Sequence, residues 1–126
     1  MSRLAVAALA AAVLTLAGPA SAQAEIAPFV TPSKQIYCAY ISDGGGQIRC
    51  DPLFLNDRGF LLKTSGKARK IKITDTIADP EAPVLAYSKT FRRGPFRCTS
   101  RRAGLTCEHR SNGHGFFLSR ERQRVY

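Results

Sequence analysis

The residues with the most chemistry to offer crowd into one stretch, Phe96 to Ser119 (FRCTSRRAGLTCEHRSNGHGFFLS). It holds two of the four cysteines, both histidines and four arginines. Cys98, Cys107, His109 and His114 make up a sulfur-and-nitrogen set of the kind that holds zinc. The spacing speaks against it: the chain has no Cys-x2-Cys pair, and such pairs mark the usual zinc sites. No metal and no cofactor is expected. A cysteine nucleophile activated by histidine needs a free thiol, and every cysteine here has a partner within reach. Ser111, His114 and Asp75 supply the groups of a Ser–His–Asp triad, but no nucleophile-elbow pattern surrounds the serine. The nine Asp and Glu lie mostly in turns and nominate no carboxylate pair. Gly44-Gly45-Gly46 lacks the lysine and helix start of a phosphate loop. A non-enzymatic protein is the expectation.

Two features keep a functional reading. Flanking glycines in Gly113-His114-Gly115 let the backbone turn sharply and leave the imidazole open to a ligand, although a plain turn histidine has the same surroundings. Arg92, Arg93, Arg97, Arg101 and Arg102, with Phe91 and Phe96 interleaved, can contact anionic groups and stack on flat ones. These five arginines and His114 are the candidate binding residues.

Charge supports the arginine reading. The chain carries 19 Lys and Arg against nine Asp and Glu, a formal +10. From Lys89 to Tyr126 ten basic residues face only Glu108 and Glu121, so almost all the excess lies in the last third. Such a field draws polyanions and speeds association with them; a solubilising surface without a partner would have the same composition.

The location follows from the first residues. Ser2-Arg3 is a short positive start, Leu4 to Ala17 is apolar, Gly18-Pro19 breaks the run, and Ala20-Ser21-Ala22 offers small residues to a peptidase. That is the layout of a secretory signal peptide over residues 1–22. Cleavage after residue 24 is the alternative, since Ala22-Gln23-Ala24 is a second small-x-small site. The run is shorter than the roughly 20 residues a spanning helix needs, and nothing after residue 24 is apolar for long enough to cross a membrane. No cysteine precedes Cys38 to carry a lipid. The mature chain, 23–126, is thus expected as one domain exported to the periplasm or beyond. Export disfavours a genomic nucleic acid as partner and leaves an anionic envelope polymer, a lipid surface or a protein.

An oxidising compartment and a small core together predict two disulfides. Four cysteines allow three connectivities, and the local one pairs Cys38 with Cys50 and Cys98 with Cys107. Lys34 to Ile41 reads as a strand apolar on both faces, with Ile36, Cys38 and Tyr40 on one and Tyr37, Ala39 and Ile41 on the other. Ser42 to Gly46 is a strong hairpin turn and Gln47 to Asp51 the return strand. In a hairpin centred on Gly44, Cys38 falls opposite Cys50, where a cross-strand disulfide is feasible. Phe96–Ser100, a turn over Arg101–Gly104, and Leu105–His109 form a second cysteine hairpin that echoes the first. Duplication and independent origin would look the same.

Elsewhere Glu25–Ser33 reads as an extended lead-in without periodicity, and Pro52–Leu62 as a short helix or two short strands around the turn Asn56–Gly59. Ala68–Thr74 is a half-buried strand whose outer lysines discourage edge pairing. Ala78–Pro83 is a loop, Val84–Tyr87 a strand, Arg92–Pro95 a turn, Ser111–Gly115 a further turn, Phe116–Ser119 a core strand and Arg120–Tyr126 a charged tail. No amphipathic helical stripe persists outside the first residues. The expected fold is all-β: a small disulfide-stapled antiparallel sandwich or barrel-like domain of short strands and hairpins.

At Phe96-x-Cys98, Gly104-Leu-Thr-Cys107 and Gly113-His-Gly-Phe-Phe-Leu-Ser-Arg-Glu121 the chain resembles a family of small exported bacterial proteins classed as a domain of unknown function. Pro32-Ser33, Ile36-x-Cys38, Ile48-Arg-Cys-Asp51, Asp75-Thr76 and Val84-Leu-Ala-Tyr87 echo the same pattern, so the resemblance spans roughly Phe29 to Tyr126. Members of that family often carry two further cysteines in the middle, where Pro52 to Thr74 has none here. Their joint loss implies that those two pair with each other, which in turn implies the two local disulfides. The resemblance brings no activity. The chain is expected to bind an anionic envelope surface or partner through its arginine-rich last third. A secreted inhibitor or interaction module presenting the stapled Arg101–Gly104 loop is the alternative, and a small enzyme using His114 a more distant one.

Overall fold

Among the described residues ten strands form two antiparallel sheets of five, each a simple meander. The first sheet runs β1 (Ile26–Val30), β2 (Ile36–Ile41), β3 (Gln47–Pro52), β4 (Arg58–Lys63) and β5 (Arg69–Lys72). The second runs β6 (Thr90–Arg93), β7 (Phe96–Arg101), β8 (Gly104–His109), β9 (Gly115–Leu118) and β10 (Gln123–Val125). The structure is a computed structural model and describes residues 4–5, 7–14 and 23–126. Most of the expected export signal, including the positive start at Ser2-Arg3 and the small residues at 20–22, lies outside the described residues. Residues 4–5 and 7–14 are exposed and form neither helix nor strand. No described helix is long and apolar enough to cross a membrane.

Both sheets are built on one plan. In the first, register aligns Phe29, Cys38, Cys50 and Phe60 across four adjacent strands; in the second it aligns Phe91, Cys98, Cys107 and Phe116. Disulfides join Cys38 to Cys50 and Cys98 to Cys107, each between directly paired residues of a hairpin. The two rows meet face to face: the Phe29 and Phe91 ring centroids are 4.6 Å apart and those of Phe60 and Phe116 5.9 Å. The core between them adds Ile36, Ile48, Leu62, Phe96, Leu105 and Leu118, all buried. The expected all-β sandwich is therefore observed, as two separate sheets rather than a closed barrel.

Local sequence explains the hairpins. Between β2 and β3 the chain turns through a 3-10 segment at Asp43–Gly45, and Gly44, Gly45 and Gly46 all have positive φ, which residues with a side chain rarely adopt. A different demand falls on the glycines that precede the two row phenylalanines of β4 and β9. A Cβ on Gly59 would lie 2.8 Å from Asp51 Oδ1, and one on Gly115 would run into the Cys107 carbonyl. Close approach, not φ, selects glycine at both.

Five segments differ from the expectation. Glu25–Ser33 is not a structureless lead-in, because Ile26–Val30 pairs along β2 as the edge of the first sheet; its proline at position 28 is tolerated there, as edge strands allow. Val84–Tyr87 is not a strand: Val84 makes one isolated parallel bridge to Val30, and the strand begins later, at Thr90. Arg92 and Arg93 accordingly lie in β6, and the turn narrows to Gly94-Pro95. Arg120–Tyr126 is not a free tail, since Gln123–Val125 pairs with β9. The segment 52–62 is neither a short helix nor two short strands around Asn56–Gly59: Pro52 ends β3, the chain turns over residues 53–57, and Arg58 and Gly59 already lie in β4. The basic strand at 69–72 is an edge, as its lysines predict.

Each disulfide closes a loop of about ten residues, worth roughly 2.5–3 kcal/mol in the chain-entropy model. Replacing Cys98 and Cys107 together by serine should lower unfolding free energy by about that amount or more, because both sulfurs lie in the core. Equilibrium urea denaturation measures it; an unchanged midpoint would show that the second row does not depend on its staple.

Candidate functional site

Strand alternation sorts the candidate arginines. On β7 the side chains of Phe96, Cys98 and Ser100 are buried, so Arg97, Thr99 and Arg101 face outward. Register extends this face. Arg92 of β6 pairs with Arg97, which pairs with Glu108 of β8. One step along, Thr90, Thr99, Thr106, Phe117 and Arg124 form a continuous row across all five strands. Thr90 and Thr99 hydroxyls are hydrogen-bonded at 3.1 Å, and the Arg122 guanidinium lies 5.2 Å over the Phe117 ring.

The outer face of the second sheet is thus a hydroxyl row flanked by guanidiniums. Arg92 and Arg97 sit directly opposite each other, a pairing of like charges that costs stability in a sheet. Among the described residues neither they nor Arg101 join an ion pair; the pairs are Arg49 with Asp51 and Asp75, Arg58 with Asp57, and Arg93 with Glu25. Glu108 is the single acid on the face. It lies near Tyr126, whose hydroxyl is pushed above its ordinary pKa by burial and then by the Glu108 charge.

The structure does not bring all five arginines together. Arg93, next along β6, points the other way and is tied to Glu25 at 2.7 Å. Arg102 lies in the β7–β8 turn at the end of the sandwich, 5.0 Å over the Tyr87 ring. His114 sits in the β8–β9 turn, where its N–H donates to Asn112 Oδ1 and its carbonyl accepts from the His109 N–H. Its ring lines neither the arginine face nor the end of the sandwich near Arg102. His109, weighed only as a metal ligand, organises that turn. It is 9% exposed, stands edge-on to Phe96, and its Nδ1 accepts from the N–H groups of Ser111 and Asn112. Among the described residues no group of three His, Cys, Asp or Glu side chains could hold a metal ion.

Composition did not single out the tightest polar cluster, which is on the other sheet. Arg49 and Asp51 alternate on β3 and so share its outer face, where the guanidinium holds the carboxylate by two bonds of 2.9 Å. The same Arg49 Nη2 reaches Asp75 Oδ1 at 3.0 Å and the Asp75 carbonyl at 3.3 Å. Asp51 Oδ2 also accepts from the Ile77 N–H. The side chains of Arg49 and Asp51 are only 12% and 5% exposed. Burial works against the Arg49 charge, but its hydrogen bonds to Asp51 and Asp75 outweigh that and raise its pKa. The cluster joins Ile48–Asp51 to Asp75-Thr76, two scattered parts of the sequence pattern, and clips the β5–β6 connection over the first sheet. The detectable signal was the Arg-x-Asp spacing on a strand.

The chain belongs to a family of unknown function (DUF6636), whose model matches residues 47–126. The match runs from β3 through the whole second sheet and leaves β1, β2 and Cys38 outside it. No curated protein and no solved structure matches the chain.

Two outcomes test the clip. Arg49→Met strands the buried Asp51 carboxylate and should cost about 3–5 kcal/mol in urea denaturation, as removal of one partner of a buried pair does. Asp75 is held below the ordinary carboxylate pKa by its hydrogen bond from Arg49 and then by that charge. A depressed folded-state pKa means the tether is complete above the ordinary carboxylate range and is lost as pH falls through the depressed value. NMR shifts of residues 73–79 should therefore titrate below that range in the wild type, and Asp75→Asn should abolish the titration.

Proposed function

We propose that this protein is an exported, non-enzymatic basic β-domain that holds an anionic polymer of the cell envelope against the outer face of its second sheet. The observation that carries the reading is the opposed pair Arg92 and Arg97. Two guanidiniums face each other across adjacent strands, with Arg101 on the same face beyond the threonine row and no carboxylate within ion-pair distance. An anion seated between them turns an unfavourable pairing into a favourable one. The neighbouring threonine row adds hydroxyl donors for the same oxygens, and a flat face suits a repeating polymer better than a single small group. The disulfides and the apolar start of the chain support export. A lipid surface or an acidic protein would meet the same charges, and competition between them orders the three.

The second reading, a stapled loop presented to a protein, keeps one observation in its favour. Arg101 at the end of β7 and Arg102 and Ala103 in the turn after it are exposed, on a hairpin that the Cys98–Cys107 disulfide staples, which lowers the ordering cost of binding.

The two readings separate by mutation. Replacing Arg92, Arg97 and Arg101 by serine should weaken binding to a polyanion such as heparin or polyphosphate by roughly 10–100-fold, from about 0.5–1 kcal/mol for each exposed charge contact. Wild-type affinity should fall steeply between low and high salt. Salt-independent binding, or full affinity in the triple variant, would sink the sheet-face reading. A defect seen only on swapping residues 101–104 would favour the loop.

A further inference from the structure

A cleft of about 290 Å³ opens at the end of the sandwich, where the β1–β2, β7–β8 and β9–β10 turns converge. Its floor is apolar: Ile36, Leu105 and Leu118 line it from both sheets but are 5%, 0% and 0% exposed, so the partly exposed Phe54 and Tyr87 offer the apolar surface a ligand can reach. Phe54 and Tyr87 line its walls, and each is covered by a guanidinium, Arg120 at 5.5 Å and Arg102 at 5.0 Å. Arg120 Nη2 also donates to Gln35 Oε1 at 3.3 Å, which holds that side chain over the opening. Among the described residues neither Arg102 nor Arg120 is in an ion pair. Glu121 is the one acid on the lining.

An apolar floor under positive charges that lack carboxylate partners selects for a ligand with two ends. We propose that this cleft binds a small amphiphilic anion, with a carboxylate or phosphate head between Arg102 and Arg120 and a single ring or short acyl chain against Phe54 and Tyr87, above the closed Ile36–Leu105–Leu118 floor. Size limits the body. Pockets for drug-sized ligands run from roughly 300 to 1,000 Å³, so this one falls just below that range. Stacking on Tyr87 and Phe54 keeps the two guanidiniums in place before the ligand arrives, which reduces the ordering cost of binding. The site takes a different ligand from the sheet face and uses different residues, apart from Arg101 at their common border.

The test is an NMR titration of the full mature chain with octanoate and octyl phosphate, alongside octanol, acetate and inorganic phosphate. Octanoate or octyl phosphate should shift residues around 35–36, 103–105 and 118–121 saturably, and whichever binds tighter identifies the head group. The three controls, which lack either head or body, should bind at least about tenfold more weakly. Arg102→Gln with Arg120→Gln should cost about tenfold or more, from loss of charge-assisted hydrogen bonds. Ala103→Trp, at an exposed turn position on the lining, should block the mouth with the fold intact. Arg92→Ser with Arg97→Ser should leave octanoate binding unchanged, which separates this site from the sheet face. Equal binding of octanol and octanoate, shifts confined to the outer face of the second sheet, or no binding at millimolar octanoate would overturn the proposal. So would wild-type affinity in the Arg102→Gln, Arg120→Gln variant.

Discussion

Everything in this molecule depends on register, and the two rows Phe–Cys–Cys–Phe hold it. A strand that slips by one residue exchanges its two faces completely, and in a sandwich of short strands few other contacts resist such a slip. Joining directly opposed residues of the central hairpins removes that freedom at the middle of each sheet. The phenylalanines at the row ends then lock one sheet to the other, Phe29 on Phe91 and Phe60 on Phe116. With the inner faces fixed, the outer faces follow: residues one position away from a row member point away from the space between the sheets, into solvent at Arg92 and Arg97 and under covering chain at Val30, Ala39 and Asp51.

What the two sheets do with those outer faces is different, although their inner plan is the same. On the first, Arg49 is neutralised by Asp51 and Asp75, and the β5–β6 connection is clipped over the strand. On the second, the position after Cys107 again carries an acid, Glu108, but its register partner is the exposed Arg97, and no ion pair forms. One face has spent its charges on holding a loop. The other leaves Arg92, Arg97 and Arg101 outside any ion pair among the described residues, and the proposed function rests on that difference.

Much of this was legible along the chain because it is encoded by local rules. Glycine-rich turns, cysteines spaced for a hairpin and the basic edge at 69–72 each speak through a few neighbouring residues. The misreadings were where pairing is decided by distant partners. Ile26–Val30 becomes a strand because β2 offers it an edge, and Gln123–Val125 because β9 does, though neither has periodicity enough to declare itself. Val84–Tyr87 has the composition of a strand but forms strand pairing only with Val30, in a single bridge. His114, conspicuous between its glycines, is a turn residue in its backbone contacts, while the less conspicuous His109 caps that turn from the core.

The amino-acid sequence by itself determined the class of fold, the two disulfides and the excess of positive charge, since each follows from residue type and short spacing. Only the tertiary structure decided which charges stand together. Arg92, Arg97 and Arg101 share a face because strand alternation and register place them there. Arg93 leaves it by one step of the same alternation. Arg102 and Arg120, eighteen positions apart along the chain, line one cleft because three turns end at the same edge of the sandwich. A count of arginines says how strong the field is; its direction is a property of the folded sheet.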